Sequence, residues 1–325
     1  MNARLPIICA VALAALTAAA DSRAADEWPQ RPVQLILPAG AGGSSDPLAR
    51  LLADELGKRV GQSFVVQNRP GAGGNVGMSQ TARSKPDGYT IVIAWTGPLA
   101  TNLALYKDVG WDPKKDLTPI GMVGCTPNVL AVAASSPISN LSEFLAYTRA
   151  HNGTTSYGTT GVGSSWHIAG EMVSRRADNG LVHIPYTTPG GALTDLLGGR
   201  LQAIFPVVPM TVPHVKGGDM RVLAVFSHKR SAVLPNVPTT VELGQPDLIS
   251  ETCFALLAPT GTPLPVIAKL NSALNAVINA PDTRPRLEEM GLTLQPGAPE
   301  VVTTYLQSEI PRQAQLVAAS GAKAD

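Results

Sequence analysis

Reactive side chains are sparse in this chain, and their spacing limits the chemistry open to them. His167 and Glu171 stand four residues apart on one predicted helix, the minimum for a metal-ligand pair. No His-x-His, Cys-x-x-Cys or His-Glu-x-x-His pattern supports them, and the other histidines, at 151, 183, 214 and 228, form no close pair in sequence. Ser164 lies in Gly-Ser-Ser-Trp-His, which is not the Gly-x-Ser-x-Gly elbow of hydrolases. His167 is within reach of a serine hydroxyl, so hydrolysis remains an alternative. Arg69, Arg149, Arg221 and Arg230 are isolated, and no arginine cluster for phosphate is visible.

Two polar, amide-rich loops are left, and both suit binding without transformation. Leu35 to Asp46 reads Leu-Ile-Leu-Pro-Ala-Gly-Ala-Gly-Gly-Ser-Ser-Asp: an apolar strand, a turn without bulky side chains, then a helix whose first position suits Pro47. Backbone N–H groups at such a helix start, carrying roughly half a positive charge, hold a carboxylate or phosphate without Lys or Arg. Tyr157 to His167 repeats that strand, small-residue turn and helix order. A third glycine-rich stretch, Asn68 to Gly77, fails as a dinucleotide fingerprint. Val76 stands where the last glycine belongs, and no acidic residue follows at the required distance. It reads as a tight connection.

The elements that must position these loops follow from composition and periodicity. With 325 residues, 44% of them hydrophobic and 15% charged, the chain can build a large core and is predicted to fold as two domains. A net charge of +1 with scattered Lys and Arg removes the electrostatic argument for nucleic acid or an anionic membrane. Residues 1–25 read as a secretory signal peptide: Arg4, an apolar run from Ile7 to Ala20, then small residues at the candidate cleavage points Ala20 and Ala24. Cys9 is too early for a lipoprotein anchor, which leaves Cys125 and Cys253 in an oxidising compartment, either bridged or packed as two buried thiols.

Strands at 33–37, 64–67 and 89–94 alternate with helices at 47–60 and 74–83, a βαβαβ unit with a parallel sheet. Thr96, just past the third strand, is expected to line the crevice at the strand ends. Residues 106–117 read as a surface connection. A second unit follows, with a strand at 129–133, helices at 141–150 and 165–175, strands at 156–158 and 182–185, a helical 186–197, strands at 201–205 and 221–226 and a helix edge at 212–216. A short helix is expected at 234–240 and a returning strand at 252–258. Helices at 266–279, 282–290 and 298–320, without strands of their own, pack back on the first domain, so the chain crosses between lobes twice.

The residues now match a family. Trp28-Pro29-x-Arg31-Pro32-Val33, Gln67-Asn68-Arg69-Pro70-Gly71-Ala72-Gly73-Gly74, Pro86-Asp87-Gly88-Tyr89-Thr90, Gly161-x-Gly163-Ser164-x-x-His167 and His183-Ile184-Pro185-Tyr186 occur in order. The chain resembles the periplasmic solute-binding receptors of tripartite tricarboxylate transporters, the TctC or Bug-like family. The resemblance implies an α/β, two-lobed periplasmic-binding-protein fold of type II-like form, each lobe an α/β sandwich, hinged by two crossing strands. Domain 1 would take residues 26–125 and 251–325, and domain 2 residues 126–250. It further implies a periplasmic monomer without cofactor or metal, which captures a small carboxylate and delivers it to membrane permease subunits; a sensing role beside a membrane signalling protein is an alternative.

Carried over by position, the ligand residues are Ala39, Gly40, Ala41, Gly42, Gly43, Ser44, Ser45 and Asp46 in the first loop. In the second they are Tyr157, Thr159, Thr160, Gly161, Gly163, Ser164, Ser165 and His167, with Thr96, Tyr186, Thr187 and Asp195 completing the set. Asp46 and Asp195 are expected to fix turns rather than touch ligand. The chain departs from the family at Ala39 and Ala41, where an aromatic and a proline are common, and at Thr187-Thr188, where Lys-Gly is usual. The missing lysine favours a monocarboxylate, or a ligand with an uncharged polar end, over citrate. Cys253 replaces a usual tryptophan, and two neighbouring hinge strands would bring it to bridging distance of Cys125, about 5.5 Å between Cα atoms.

Overall fold

The structure, a computed structural model, describes residues 28–41 and 45–320. The expected signal peptide and Gly42, Gly43 and Ser44 of the first loop lie outside the described residues.

The first lobe begins with β1 (Val33–Leu37), α1 (Asp46–Val60), β2 (Phe64–Asn68), α2 (Asn75–Ala82) and β3 (Thr90–Trp95). Apolar residues of α1 recur at helical spacing, and Leu48, Leu51, Leu52 and Leu56 are buried with Leu35, Ile91 and Ile93. Each such leucine contributes roughly 1.5–3 kcal/mol on burial. Pro47 supplies a preset φ at the helix start, and Gly61 ends it in a left-handed conformation, its N–H bonded to the Gly57 carbonyl.

The chain then makes a helical turn at Gly97–Thr101 and a short α3 (Asn102–Leu105), for which the sequence reading has no helix. β4 (Leu117–Pro127) leads into β5 (Val129–Ala133). Most of β4 is hidden in the sequence by its glycines and prolines. The fold needs them: a Cβ at Gly121 would lie 2.9 Å from Leu274 Cδ2, and one at Gly124 would lie 2.6 Å from the Thr293 carbonyl oxygen. Register shifts against its partner strand absorb the irregularity.

The second lobe holds α4 (Leu141–Ala150), β6 (Thr155–Thr159), α5 (Ser165–Arg176), β7 (Leu181–Pro185), α6 (Pro189–Leu197), β8 (Ala203–Ile204), α7 (Val208–Gly217) and β9 (Met220–Val225). Residues 234–240 form turns rather than the expected helix; Pro235 and Pro238 deny it backbone donors. The chain returns through β10 (Glu251–Pro259), then α8 (Leu264–Ile278), α9 (Arg284–Glu289), β11 (Thr293–Leu294) and α10 (Glu300–Ser320). β11 is a strand within the C-terminal region that the sequence reading lacks; it pairs with β4 at Cys125 and Gly124.

The two sheets share one plan, with strand order β11-β4-β10-β3-β1-β2 in the first and β7-β6-β8-β5-β9 in the second. β10 runs antiparallel to β3, pairing Phe254 with Trp95, so its first residues lie at the carboxyl end of β3. β5 runs antiparallel to β8, so its start lies at the carboxyl ends of β8 and β6. Both interlobe crossings therefore leave from the sheet edges that carry the glycine-rich loops, and those edges face each other. α10 spans the junction behind them: Val302 and Leu306 pack in the first lobe, while Val317 joins the core of the second.

Candidate functional site

The first loop is shaped from outside itself. Asn68, at the end of β2, donates from Nδ2 to the Ala39 carbonyl and to Asp46 Oδ1, both at 3.1 Å. Asp46 is buried, accepts from Arg50 at 2.9 Å, and sits at the positive end of α1. Its carboxylate thus holds the turn. Ser45 is buried and its carbonyl accepts the Ala49 N–H, while Gly40 and Ala41 are exposed and Ala39 is half-buried.

The second loop is built on side chains beneath it. Thr159 Oγ1 accepts the Gly161 N–H at 3.1 Å and meets His183 Nε2 at 2.6 Å. Ser164 caps α5 by accepting the His167 N–H, and its hydroxyl donates to the Gly161 carbonyl at 2.8 Å. Gly163 N–H donates to His167 Nδ1 at 3.1 Å, so that nitrogen carries no proton and acts as the loop's internal acceptor. Gly161 and Gly163 have φ of +108° and +77°, conformations that a side chain would strain. Thr160, Gly161, Gly163, Ser164 and Ser165 stay partly accessible around the first turn of α5, where backbone N–H groups have no intrahelical partner.

The fold brings together histidines that are distant in sequence: the His167 and His183 rings lie 4.2 Å apart, centroid to centroid. Tyr157 is fully buried and donates to Glu171 Oε1 at 2.7 Å, so its hydroxyl is committed below the loop. Burial lowers the pKa of His167; burial, followed by the neighbouring His167, lowers that of His183 to about 4. Both rings are neutral near pH 7. His167 and Glu171 acquire no third ligating atom among the described residues. Nor do Ser164 and His167 form a nucleophile and base pair, since the hydroxyl donates to Gly161 and the Nδ1 atom accepts from Gly163.

The far end joins the second loop through the Tyr186 N–H, which donates to the Thr159 carbonyl at 2.9 Å. Tyr186 OH donates to Asp195 Oδ2 at 2.7 Å, and Arg200 pairs with the same carboxylate. Those two contacts hold the Asp195 carboxyl below its ordinary range, hydroxyl first. Thr187 is exposed, and Thr188 caps α6.

Thr96 belongs to the hinge. Its Oγ1 accepts the Cys253 N–H at 2.9 Å and lies 2.7 Å from Tyr305 OH, which leaves it 6% exposed and occupied. Cys125 and Cys253 are disulfide-bonded, with Cα atoms 3.9 Å apart. The two stand directly opposite each other on β4 and β10, and their separation is shorter than the expected distance of about 5.5 Å. Asn128, between β4 and β5, is fully buried and donates to the Phe205 carbonyl at 2.7 Å and to Ser165 Oγ at 3.3 Å. The lobes also touch across the junction: a Cβ at Gly163 would lie 2.3 Å from Leu105 Cδ2. Sequence reasoning missed Asn68, Asn128 and His183. Asn68 stands inside a recognised motif, and Asn128 is a polar interruption between two apolar runs.

Comparison with known proteins adds a family. Residues 48–322 match the family model described as tripartite tricarboxylate transporter family receptor. The chain is 36% identical over 300 residues to Protein BugT of Bordetella pertussis, covering 92% of each. Among solved structures it is similar to Rpa4515 of R. palustris with adipate, at 33% identity and TM-score 0.82, covering 91% of this chain and 99% of that one. It is also similar to MatC from Rhodopseudomonas palustris with bound malate, at 30% identity and TM-score 0.78, covering 89% and 100%.

Proposed function

The chain belongs to the tripartite tricarboxylate transporter receptor family, a family of periplasmic solute-binding receptors, and from that premise we propose that it captures a small carboxylate between its two glycine-rich loops. The observation that carries this reading is the shared plan of the sheets, which turns the carboxyl ends of both parallel strand sets, and so both helix-start loops, toward one junction. One jaw runs from Ala39 to Asp46 and is pinned by Asn68; the other runs from Thr159 to Ser165 and is pinned by His167. Helix-start N–H groups bind the carboxylate in both. Residues 26–125 with 251–325 form one lobe and residues 126–250 the other, and hinge closure through 126–128 and 249–251 brings the jaws together.

Selectivity lies at Ala39, Ala41 and the Tyr186 to Asp195 end. Arg200 there is already paired with Asp195, and Thr187 offers a hydroxyl where a cation would meet a second carboxylate. The ligand is therefore a monocarboxylate, or one whose distal end is polar and uncharged. The adipate and malate of the two similar structures make dicarboxylates the direct competitors. Delivery to membrane permease subunits, after export by the signal peptide, completes the role.

A thermal-shift panel of monocarboxylates, adipate, malate and citrate, followed by calorimetry, tests this. Stabilisation by a monocarboxylate without turnover is expected. Tight citrate binding with none for monocarboxylates overturns the ligand class, and stabilisation by no carboxylate overturns the receptor reading.

A further inference from the structure

A cavity of about 580 Å3 lies beside the hinge strands, lined by residues of β4, β10, α10 and the 246–249 segment with Met172, His228 and Gln295, and by none of the loop residues proposed to hold the carboxylate. Cys125, Cys253 and Glu251 share its wall. Their two Sγ atoms and a Glu251 carboxylate oxygen all lie within 4.8 Å of one another, the one such group of three His, Cys, Asp or Glu ligating atoms among the described residues. Neighbouring carboxylates in that wall are engaged, Glu309 by Arg312 and Gln313 and Asp247 by Arg176. The Arg312 charge that acts on Glu251 is itself bonded to Glu309, and the Glu251 side chain takes part in no hydrogen bond or ion pair among the described residues.

We propose that Cys125, Cys253 and Glu251 form a dithiol-gated site for a thiophilic divalent cation such as Zn2+, closed while the cysteines are bonded and opened when they are reduced. Opening needs a dithiol. One of its thiolates attacks a cystine sulfur, the Sγ–Sγ bond breaks, and the electron pair stays on the other cysteine, which takes up a proton. The reagent's second thiolate then attacks the reagent's own sulfur in the mixed disulfide, closing a ring and expelling the remaining protein cysteine, which takes up a proton. Two electrons and two protons pass to the protein, and the reagent leaves as its cyclic disulfide.

The reduced pair suits a metal. Tetrahedral Zn–S bonds of about 2.3 Å set the sulfurs roughly 3.8 Å apart. The two Cα atoms stand 3.9 Å apart, so side-chain rotation alone can set that separation once the bond is broken. Two thiolates and the Glu251 carboxylate give three ligands, and the cavity leaves the fourth position to water. Binding releases the thiol protons to solvent. Gln295 Nε2 donates to Cys125 Sγ at 3.3 Å, an outer contact that favours the thiolate.

The test uses the full mature chain, reduced with dithiothreitol, freed of it without oxygen, and titrated with Co2+ by absorbance and with Zn2+ against a chromophoric chelator. One cation per reduced chain is expected, with tetrahedral thiolate bands for Co2+, and none for the oxidised chain. Cys253→Ser should abolish uptake, and Glu251→Gln should weaken it at least tenfold while circular dichroism and the thiol count of two stay unchanged. The proposal is overturned by a reduced, folded chain that takes up no cation, by equal uptake in Cys253→Ser or in the oxidised chain, or by a disulfide that the dithiol opens only on denaturation. Carboxylate binding by the oxidised chain is measured separately, so neither outcome bears on the receptor reading.

Discussion

Ser250 Oγ donates to Asn128 Oδ1 at 3.1 Å, joining the two segments that pass between the lobes. Their backbones are paired as well, Asn128 N–H to the Ser250 carbonyl at 2.8 Å. The same asparagine reaches Ser165 at the start of α5. One side chain therefore ties the hinge to the loop proposed to grip the carboxylate.

Asn128→Ala should destabilise the protein by about 2–3 kcal/mol, because it leaves the Phe205 carbonyl and the Ser250 hydroxyl without their partner in a buried place. Ser250→Ala should cost only about 1 kcal/mol. Urea denaturation of both variants and the double mutant measures this, and the double-mutant cycle should return a coupling on the order of 1 kcal/mol. Additive effects would mean that the two crossings are held independently.

Gly163→Ala should weaken binding of the tightest carboxylate on the calorimetric panel at least tenfold. The new Cβ meets Leu105 from the other lobe at 2.3 Å and sits on a backbone with φ of +77°. Leu105→Ala in the same chain removes the collision but not the backbone strain, so affinity should return in part. Full rescue would assign the whole effect to interlobe contact, and no rescue would assign it to the loop alone.

Asn68→Ala removes the Ala39 and Asp46 contacts at a half-buried position. It should cost about 1 kcal/mol of stability and more in affinity, since it frees the first jaw to adopt conformations that do not bind. Calorimetry showing unchanged affinity would remove Asn68 from the site.

Acid should loosen the second jaw before the carboxylates titrate. His183 has a folded pKa of about 4, depressed by burial and then by His167, against roughly 6.5 unfolded. Between those values the unfolded chain binds more protons, so stability falls as pH drops from about 6.5 to about 4. Glu251, pushed up by burial, acts in the opposite sense near its own range. The wild type is therefore compared with His183→Gln, and the variant should lose less stability between pH 7 and pH 5. Parallel profiles by chemical denaturation would show that the ring does not titrate against the fold.

Local order determined much of this protein. The apolar strand Val33 to Leu37, the leucine stripe of the helix that follows and the glycine-rich turn before the helix at Ser165 declare themselves, because propensity and periodicity act between near neighbours. Those signals located both loops and the order of the elements. Only tertiary structure decided what holds the loops. β4 became a strand despite Pro119, Gly121 and Gly124 because β10, β11 and α8 close on it. His167 met His183, Asn68 reached Asp46, Asn128 joined both crossings and Thr96 turned to the hinge, through contacts between residues from 16 to 157 positions apart. No local rule encodes such pairings; they follow from which strands the sheets set side by side.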